Sequence, residues 1–488
     1  MSRLSRQSGL NVNSCLTNRS FASGRIRRGP RPRAKWEAAL WVCAIAASAG
    51  RAGAVGPPTA LPPPQITAAD EKSPVEDERF NIHFQATVVS QYHPAFSALY
   101  SGRNSMRPDA ESKTSVVMDI FTGLRLWKGA ELYFQPELAA GLGLSTTLGV
   151  ADFPSGEVYR VGDPKPVIIP ARLFLRQVIG LGGGAVVVEP GPSQLRTTRD
   201  RNALTLTVGK VSTPDFVDRN PYSYDPHTQF LSWGLWASAA YDYPADTRGY
   251  TWGVAADLSI DWWSVRAGMF LEPQYSNLMP MEWRIDKARG LAFEVEARYT
   301  VAGLKGAVRA LGFYNDARMG SYRLAIEHPG PNGPDVTASR AFGRTKAGFA
   351  ASANQELGGG LGAFMRISYD DGANETWAFT EVDRSAAVGI VQSGSRWGRD
   401  GDELGAALVV SGLASIHRQY LAAGGFGFII GDGRLDRSGP EILGEVYYRA
   451  LVRKELSIGI NYQPVFNPAY NRDRGPIHIF SGRVHVEF

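Results

Sequence analysis

The feature that most restricts this chain is a repeating alternation. From Phe80 to Phe488, stretches of about ten residues place apolar and polar side chains at alternate positions, with breaks rich in Gly, Pro, Asp or Asn between them. Along 131–138, Glu131, Tyr133, Gln135 and Glu137 share one parity; Leu132, Phe134 and Leu138 share the other. Arg172 and Arg176 oppose Leu173 and Leu175, and Glu294, Glu296 and Arg298 oppose Phe293, Val295 and Tyr299. Successive side chains of a strand point to opposite faces, so each segment has one oily side and one charged side. Nothing in this region reads as an amphipathic helix. The expected fold class is all-β.

A soluble sandwich alternates as well, but turns its apolar face to a core. Three features favour the reverse polarity. Aromatics such as Tyr299, Tyr369 and Tyr462 finish the apolar parity at segment ends, as in the aromatic girdles of membrane barrels. The segments have the length a tilted strand needs to cross a bilayer. The chain carries an export leader and ends on an alternating strand, with Phe480, Val484, Val486 and Phe488 opposite Ser481, Arg483, His485 and Glu487. Unpaired backbone groups in lipid cost several kcal/mol each, so a spanning sheet must close on itself. Its charged parity then faces inward and holds water. The geometry implies a pore: a transmembrane antiparallel β-barrel of the outer membrane with about 16 strands.

The leader is residues 1–54. An apolar run over 38–50 follows a basic segment, and Ala52-Gly53-Ala54 fits a cleavage site. Of the 52 Lys/Arg and 47 Asp/Glu, ten basic residues and one acid lie in 1–54, leaving 42 against 46, a net of −4. A chain that is acidic without its leader gives no reason to expect nucleic acid. Both cysteines, Cys15 and Cys43, lie in the leader. Residues 55–79, with six prolines, read as a flexible or polyproline linker before a barrel spanning 80–488.

Enzyme motifs are missing. The seven histidines form no HExxH pattern, so no zinc hydrolase motif is present; Asp370-Asp371, or Asp400 with Asp402, could bind calcium but read as solvated loops, and no metal is assigned. Gly180 to Ala185 matches a relaxed dinucleotide fingerprint, but Val186-Val187-Val188-Glu189-Pro190 follows where a helix is required, and the string reads as a tight turn. There is no Gly-x-Ser-x-Gly elbow and no P-loop. No catalytic residue and no cofactor are assigned.

Several strings resemble a known family. Tyr100-Ser101-Gly102-Arg103-Asn104-Ser105, Gly123 to Tyr133, Phe153-Pro154-Ser155-Gly156-Glu157 and Ala171 to Gln177 are similar to the carbohydrate-selective porins of the OprB family. The match is densest at Tyr224-Asp225-Pro226 and Asp242 to Gly253, and weaker beyond about residue 270. The resemblance implies a 16-stranded outer-membrane barrel of a Gram-negative bacterium that passes monosaccharides by diffusion. Alternation and export alone reach only a barrel with a polar lumen.

A sugar-selective lumen needs donors and acceptors for hydroxyls without a trap. Arg103, Arg125, Arg172 and Arg176, with Glu131 and Glu137, are the candidates for lining or narrowing the channel; the competing role is wall salt bridges. Trp233, Trp236, Tyr241, Trp252, Trp262 and Trp263 read as an interface girdle, with a sugar-stacking platform as the alternative. Expected partners are glucose-like sugars, outer-membrane lipid and lipopolysaccharide, and the outer-membrane assembly machinery through the strand ending in Phe488. The competing functions are a general or organic-acid porin on the same barrel, a barrel enzyme, and a soluble periplasmic glycan-binding β-protein.

Overall fold

The computed structural model describes residues 66–68, 76–158 and 164–488. The leader therefore lies outside the described residues. Sixteen antiparallel strands close into one barrel. They are β1 (Phe80–His93), β2 (Glu111–Trp127), β3 (Ala130–Gly141), β4 (Val167–Gly180), β5 (Ala203–Val211) and β6 (Thr251–Ile260). Next come β7 (Trp263–Leu271), β8 (Arg289–Val301), β9 (Leu304–Ala317), β10 (Arg344–Gly358) and β11 (Leu361–Asp370). The circuit ends with β12 (Arg384–Ser393), β13 (Glu403–Gly412), β14 (Glu441–Arg453), β15 (Leu456–Phe466) and β16 (Ile477–Glu487). β16 pairs with β1 from Phe480↔Tyr92 to Glu487↔Gln85, so no strand edge is left open.

The barrel is inside out relative to a soluble protein. Leu132, Phe134 and Leu173 are exposed on the outer wall, as are Phe293, Val295, Ile460 and Phe480. Their neighbours of opposite parity are buried: Glu131, Gln135, Arg172, Glu294, Glu296, Ser481 and Arg483. Val486 is covered, although it shares the outward parity of Phe480; its strand partners are Ala86 and Leu456.

The two ends differ. Five connections at the end that holds Phe80 and Phe488 are tight, such as Ala302-Gly303, whose positive φ values of 51° and 80° suit a hairpin matched to strand twist. All eight connections at the opposite end are longer. Short turns mark the periplasmic side of such barrels and long loops the extracellular side.

Three local features depart from the sequence reading. Short helices occur in the long loops, at Trp233–Trp236, Tyr322–Glu327 and Ser415–Ala422. The stretch 181–202 joins β4 to β5 as a hairpin of its own, with strands Ala185–Val188 and Thr197–Asp200. Within the segment expected to be a linker, Ile66–Ala68 pairs with Val186–Val188 as a third strand of that small sheet.

Candidate functional site

Inward-facing charges are expensive unless something answers them, because a buried unpaired charge costs several kcal/mol. The connection 212–250, the longest in the barrel, supplies the answer by folding into the lumen. Arg172 of β4 donates from Nε and Nη2 to Asp215 at 2.8 and 2.7 Å, while Nη1 donates to Gln135 of β3 at 2.6 Å. Arg366 of β11 donates to the backbone oxygens of Asp218, Ser223 and Trp236 at 3.1, 2.6 and 3.1 Å, and to the Asp218 carboxylate. Arg483 of β16 reaches the carbonyls of Pro226, Thr228 and Gln229 at 2.7, 2.8 and 2.8 Å. Carboxylates hold the loop's donors: Glu294 accepts from the Asp218 amide at 2.7 Å, and Glu445 from Leu231 and Ser232 at 2.8 and 2.9 Å. The fixed fork of guanidinium donors suits this gripping of several oxygens at once.

At the loop's tip His227 Nδ1 lies 2.9 Å from Asp225 and Nε2 lies 3.4 Å from Glu157. Burial alone would lower this imidazole's pKa, but the Glu157 and Asp225 carboxylates raise it to about 9.

Where this loop meets 142–166 and 371–383, aromatic rings fill the lumen. Trp233 stacks on Phe379 with centroids 4.5 Å apart and packs on Trp236 at 4.6 Å and Phe153 at 4.9 Å. Tyr243 joins Phe379 at 4.6 Å. The gap left among Phe153, Trp233, Trp236, Tyr243, Tyr250 and Phe379 is about 20 Å³, room for one water molecule. This corrects the girdle reading for Trp233, Trp236 and Tyr241, which are buried in the lumen. Trp262, 63 % exposed beside a short turn, does lie on the outside. The physical reason is that the first three belong to an infolded loop and have no strand parity to aim them at lipid.

Between this loop and the short turns lies a cavity of about 740 Å³. Arg125, Glu131 and Arg176 line its wall, and Asp215, Arg219 and Tyr224 of the loop form its roof. Of the six candidate residues, the structure thus brings three together. Glu131 lies 3.3 Å from Arg125 and 3.8 Å from Arg176, and accepts from the Tyr133 hydroxyl at 2.6 Å. Arg176 sits over the Tyr133 ring, 4.9 Å from its centroid. Arg172 and Glu137 stand apart, enclosed: Arg172 grips Asp215, and Glu137 accepts the Tyr250 hydroxyl. Arg103 is exposed in the connection 94–110. Sequence reasoning missed Asp215, Asp218 and Arg219, which sit in a loop without periodicity, and Arg366, whose place in the alternation of β11 was its one available signal.

A closed sixteen-stranded barrel with an oily exterior, a charged interior and an infolded loop narrowing the lumen defines an outer-membrane porin. The chain belongs to the carbohydrate-selective porin, OprB family, whose model matches residues 103–488. The chain is similar in fold to the high-pH structure of OprB from Pseudomonas putida, with TM-score 0.64 and 16% identity over 84% of this chain and 94% of that one. The low-pH structure of the same protein gives TM-score 0.44 and 13% identity over 84% and 93%. OccK8 (OprE) from Pseudomonas aeruginosa gives 0.43 and 8% over 84% and 98%. No curated protein matches. The chain is a sugar channel of the Gram-negative outer membrane, not an enzyme.

Proposed function

We propose that the solutes are glucose-like monosaccharides and that Arg125, Glu131 and Arg176 form the lumen's contact with them. The observation that carries this reading is the convergence of two guanidinium groups and one carboxylate on a single cavity of about 740 Å³. That volume suits a small ligand with its water. The guanidinium groups donate to sugar hydroxyls, Glu131 accepts from them, and each bond replaces one to water, so the solute is held and released. The faces of Trp233 and Tyr243 are packed on Phe379 and on each other, so they offer a sugar no open surface in this arrangement. A gap of about 20 Å³ does not admit a sugar, so no solute passes through the aromatic cluster itself in this arrangement.

Planar-bilayer recording with and without glucose tests the assignment. Arg125→Gln and Arg176→Gln are expected to weaken current block by glucose; unchanged current and unchanged block would remove both residues from the solute path. Within the same proposal, residues 1–54 direct export, the outer wall meets lipid and lipopolysaccharide, and Phe488 serves recognition by the assembly machinery. Phe488 pairs with Phe84 through backbone bonds of 2.8 and 3.1 Å at the barrel seam. Deleting it is expected to lower the fraction of heat-modifiable, membrane-inserted protein.

A further inference from the structure

The cavity on the periplasmic side is not evenly balanced in charge. Nine cationic side chains line it against seven carboxylates. Most of those carboxylates are already engaged. Asp257 and Glu296 accept from Arg266 at 3.0 and 2.9 Å, and Glu296 also accepts from Arg298 and Arg309 at 2.9 and 3.1 Å. Asp215 is held by Arg172 at 2.7 Å, and Glu131 is shared by Arg125 and Arg176.

Four of the nine cations stand outside this pairing among the described residues, and two of them, Lys128 and Arg201, are exposed. Among the described residues neither Arg199, on the hairpin that floors the cavity, nor Arg219, on its roof, has a carboxylate oxygen within 4.0 Å. Arg219 Nε is buried with no hydrogen-bond partner. Burial and the neighbouring Arg176 both disfavour the charge of Arg199, opposed by Asp257 and Glu131. Cations without a carboxylate partner that line one partly enclosed space attract an anion, and a guanidinium fork matches the oxygens of a carboxylate or phosphate.

Resting on the sugar-channel reading, we infer that this cavity is a subsite for acidic monosaccharides, in which Arg199 and Arg219 take the oxyacid group, carboxylate or phosphate, of a sugar whose hydroxyls meet Arg125, Glu131 and Arg176. A sugar acid or a sugar phosphate is thus held more tightly there than a neutral hexose, which meets the cavity through its hydroxyls alone. The pairing already present on Glu131, Asp215, Asp257 and Glu296 reduces the repulsion these four exert on it.

The test is block of single-channel current by glucuronate, glucose 6-phosphate and glucose, each added on the short-turn side, in the full-length protein and in Arg199→Gln, Arg219→Gln and the double variant. Charge-assisted hydrogen bonds from two guanidinium groups predict half-block by at least one acid sugar at a concentration about tenfold below that of glucose. The double variant is expected to erase that difference while leaving block by glucose in place, and Arg199→Lys, which keeps the charge, to retain part of it. Equal block by all three solutes, or a double variant that weakens all three alike, overturns the inference. If potassium chloride carries current but neither glucose nor an acid sugar alters it, the sugar-channel reading fails for these residues as well.

Discussion

Arg172 and Asp215 face each other with two parallel hydrogen bonds, 2.8 and 2.7 Å long, in a space closed to solvent. The pair ties strand β4 of the wall to the start of the infolded loop. It explains why an interior rich in ions is not simply an open tunnel: part of the wall's charge is spent on holding the constriction.

Removing one partner leaves the other charge buried and unanswered. Arg172→Gln is expected to cost about 3–5 kcal/mol of stability and to free the start of the 212–250 loop. Asp215→Asn should cost a similar amount, and the double variant less than the sum of both, because neither charge is then stranded. Denaturant titration of the detergent-solubilised barrel measures the coupling, and single-channel noise reports the loosened loop. Additive losses from the two single changes would show that the pair does not anchor the loop.

Trp233 touches Phe153, Trp236, Tyr243 and Phe379, so it is the hub of the narrow throat. Trp233→Ala is expected to destabilise the protein by about 3–5 kcal/mol through the cavity it leaves. The same cavity widens the passage. Liposome-swelling rates should rise for disaccharides more than for monosaccharides, and an unchanged ratio would mean that these rings do not set the size limit.

His227 gives the loop a pH dependence whose sign follows from its surroundings. Burial opposes its charged form, and Glu157, Asp225 and Asp119 outweigh burial. Its pKa in the folded protein, about 9, stands above the ordinary 6.5, so its stabilisation is complete below about 6.5 and is lost as pH rises through 9. The prediction is quiet current at pH 7 and increasing flicker between pH 8 and 10. In His227→Gln that pH dependence should vanish; flicker that persists with the same profile would assign it elsewhere.

The wall was legible and the plug was not. Arg172 and Leu173 alternate on one strand, and period-two alternation states directly that they face opposite ways. The same pattern located Glu131 and Arg176, since a strand's parity survives into the barrel. Asp215 lies 43 positions from Arg172, in a loop whose residues obey no period. The pairing of β4 with β5, which sets Leu173 opposite Lys210, brings the two together. Trp233 and Trp262 illustrate the same divide: both are tryptophans in a crowded stretch, yet one packs into the lumen and the other stands beside a short turn at the outer rim. Composition carries no information about that choice; the loop's route decides it.

The polarity of the wall allows a sharp comparison between adjacent residues. Ile460 and Asn461 are neighbours on β15, the first 64 % exposed on the outer face and the second buried in the lumen. Ile460 lies near the middle of its strand, where the surrounding medium is hydrocarbon. Ile460→Arg is expected to cost about 2–4 kcal/mol when the barrel unfolds from a lipid bilayer, because the guanidinium must be held away from water. Asn461→Asp changes charge at the next position but keeps the side chain in the lumen, beside Glu445, whose Oε1 now accepts from Asn461 Nδ2 at 2.6 Å. Its effect should come from repulsion between two buried carboxylates and should shrink as pH falls and they protonate, whereas the Ile460→Arg cost, set by the lipid, should not. Reversible unfolding in phospholipid vesicles at neutral and acid pH, each variant against the parent, separates the two. If the arginine at 460 proves as pH-sensitive as the aspartate at 461, the outer face of β15 is not bathed in lipid.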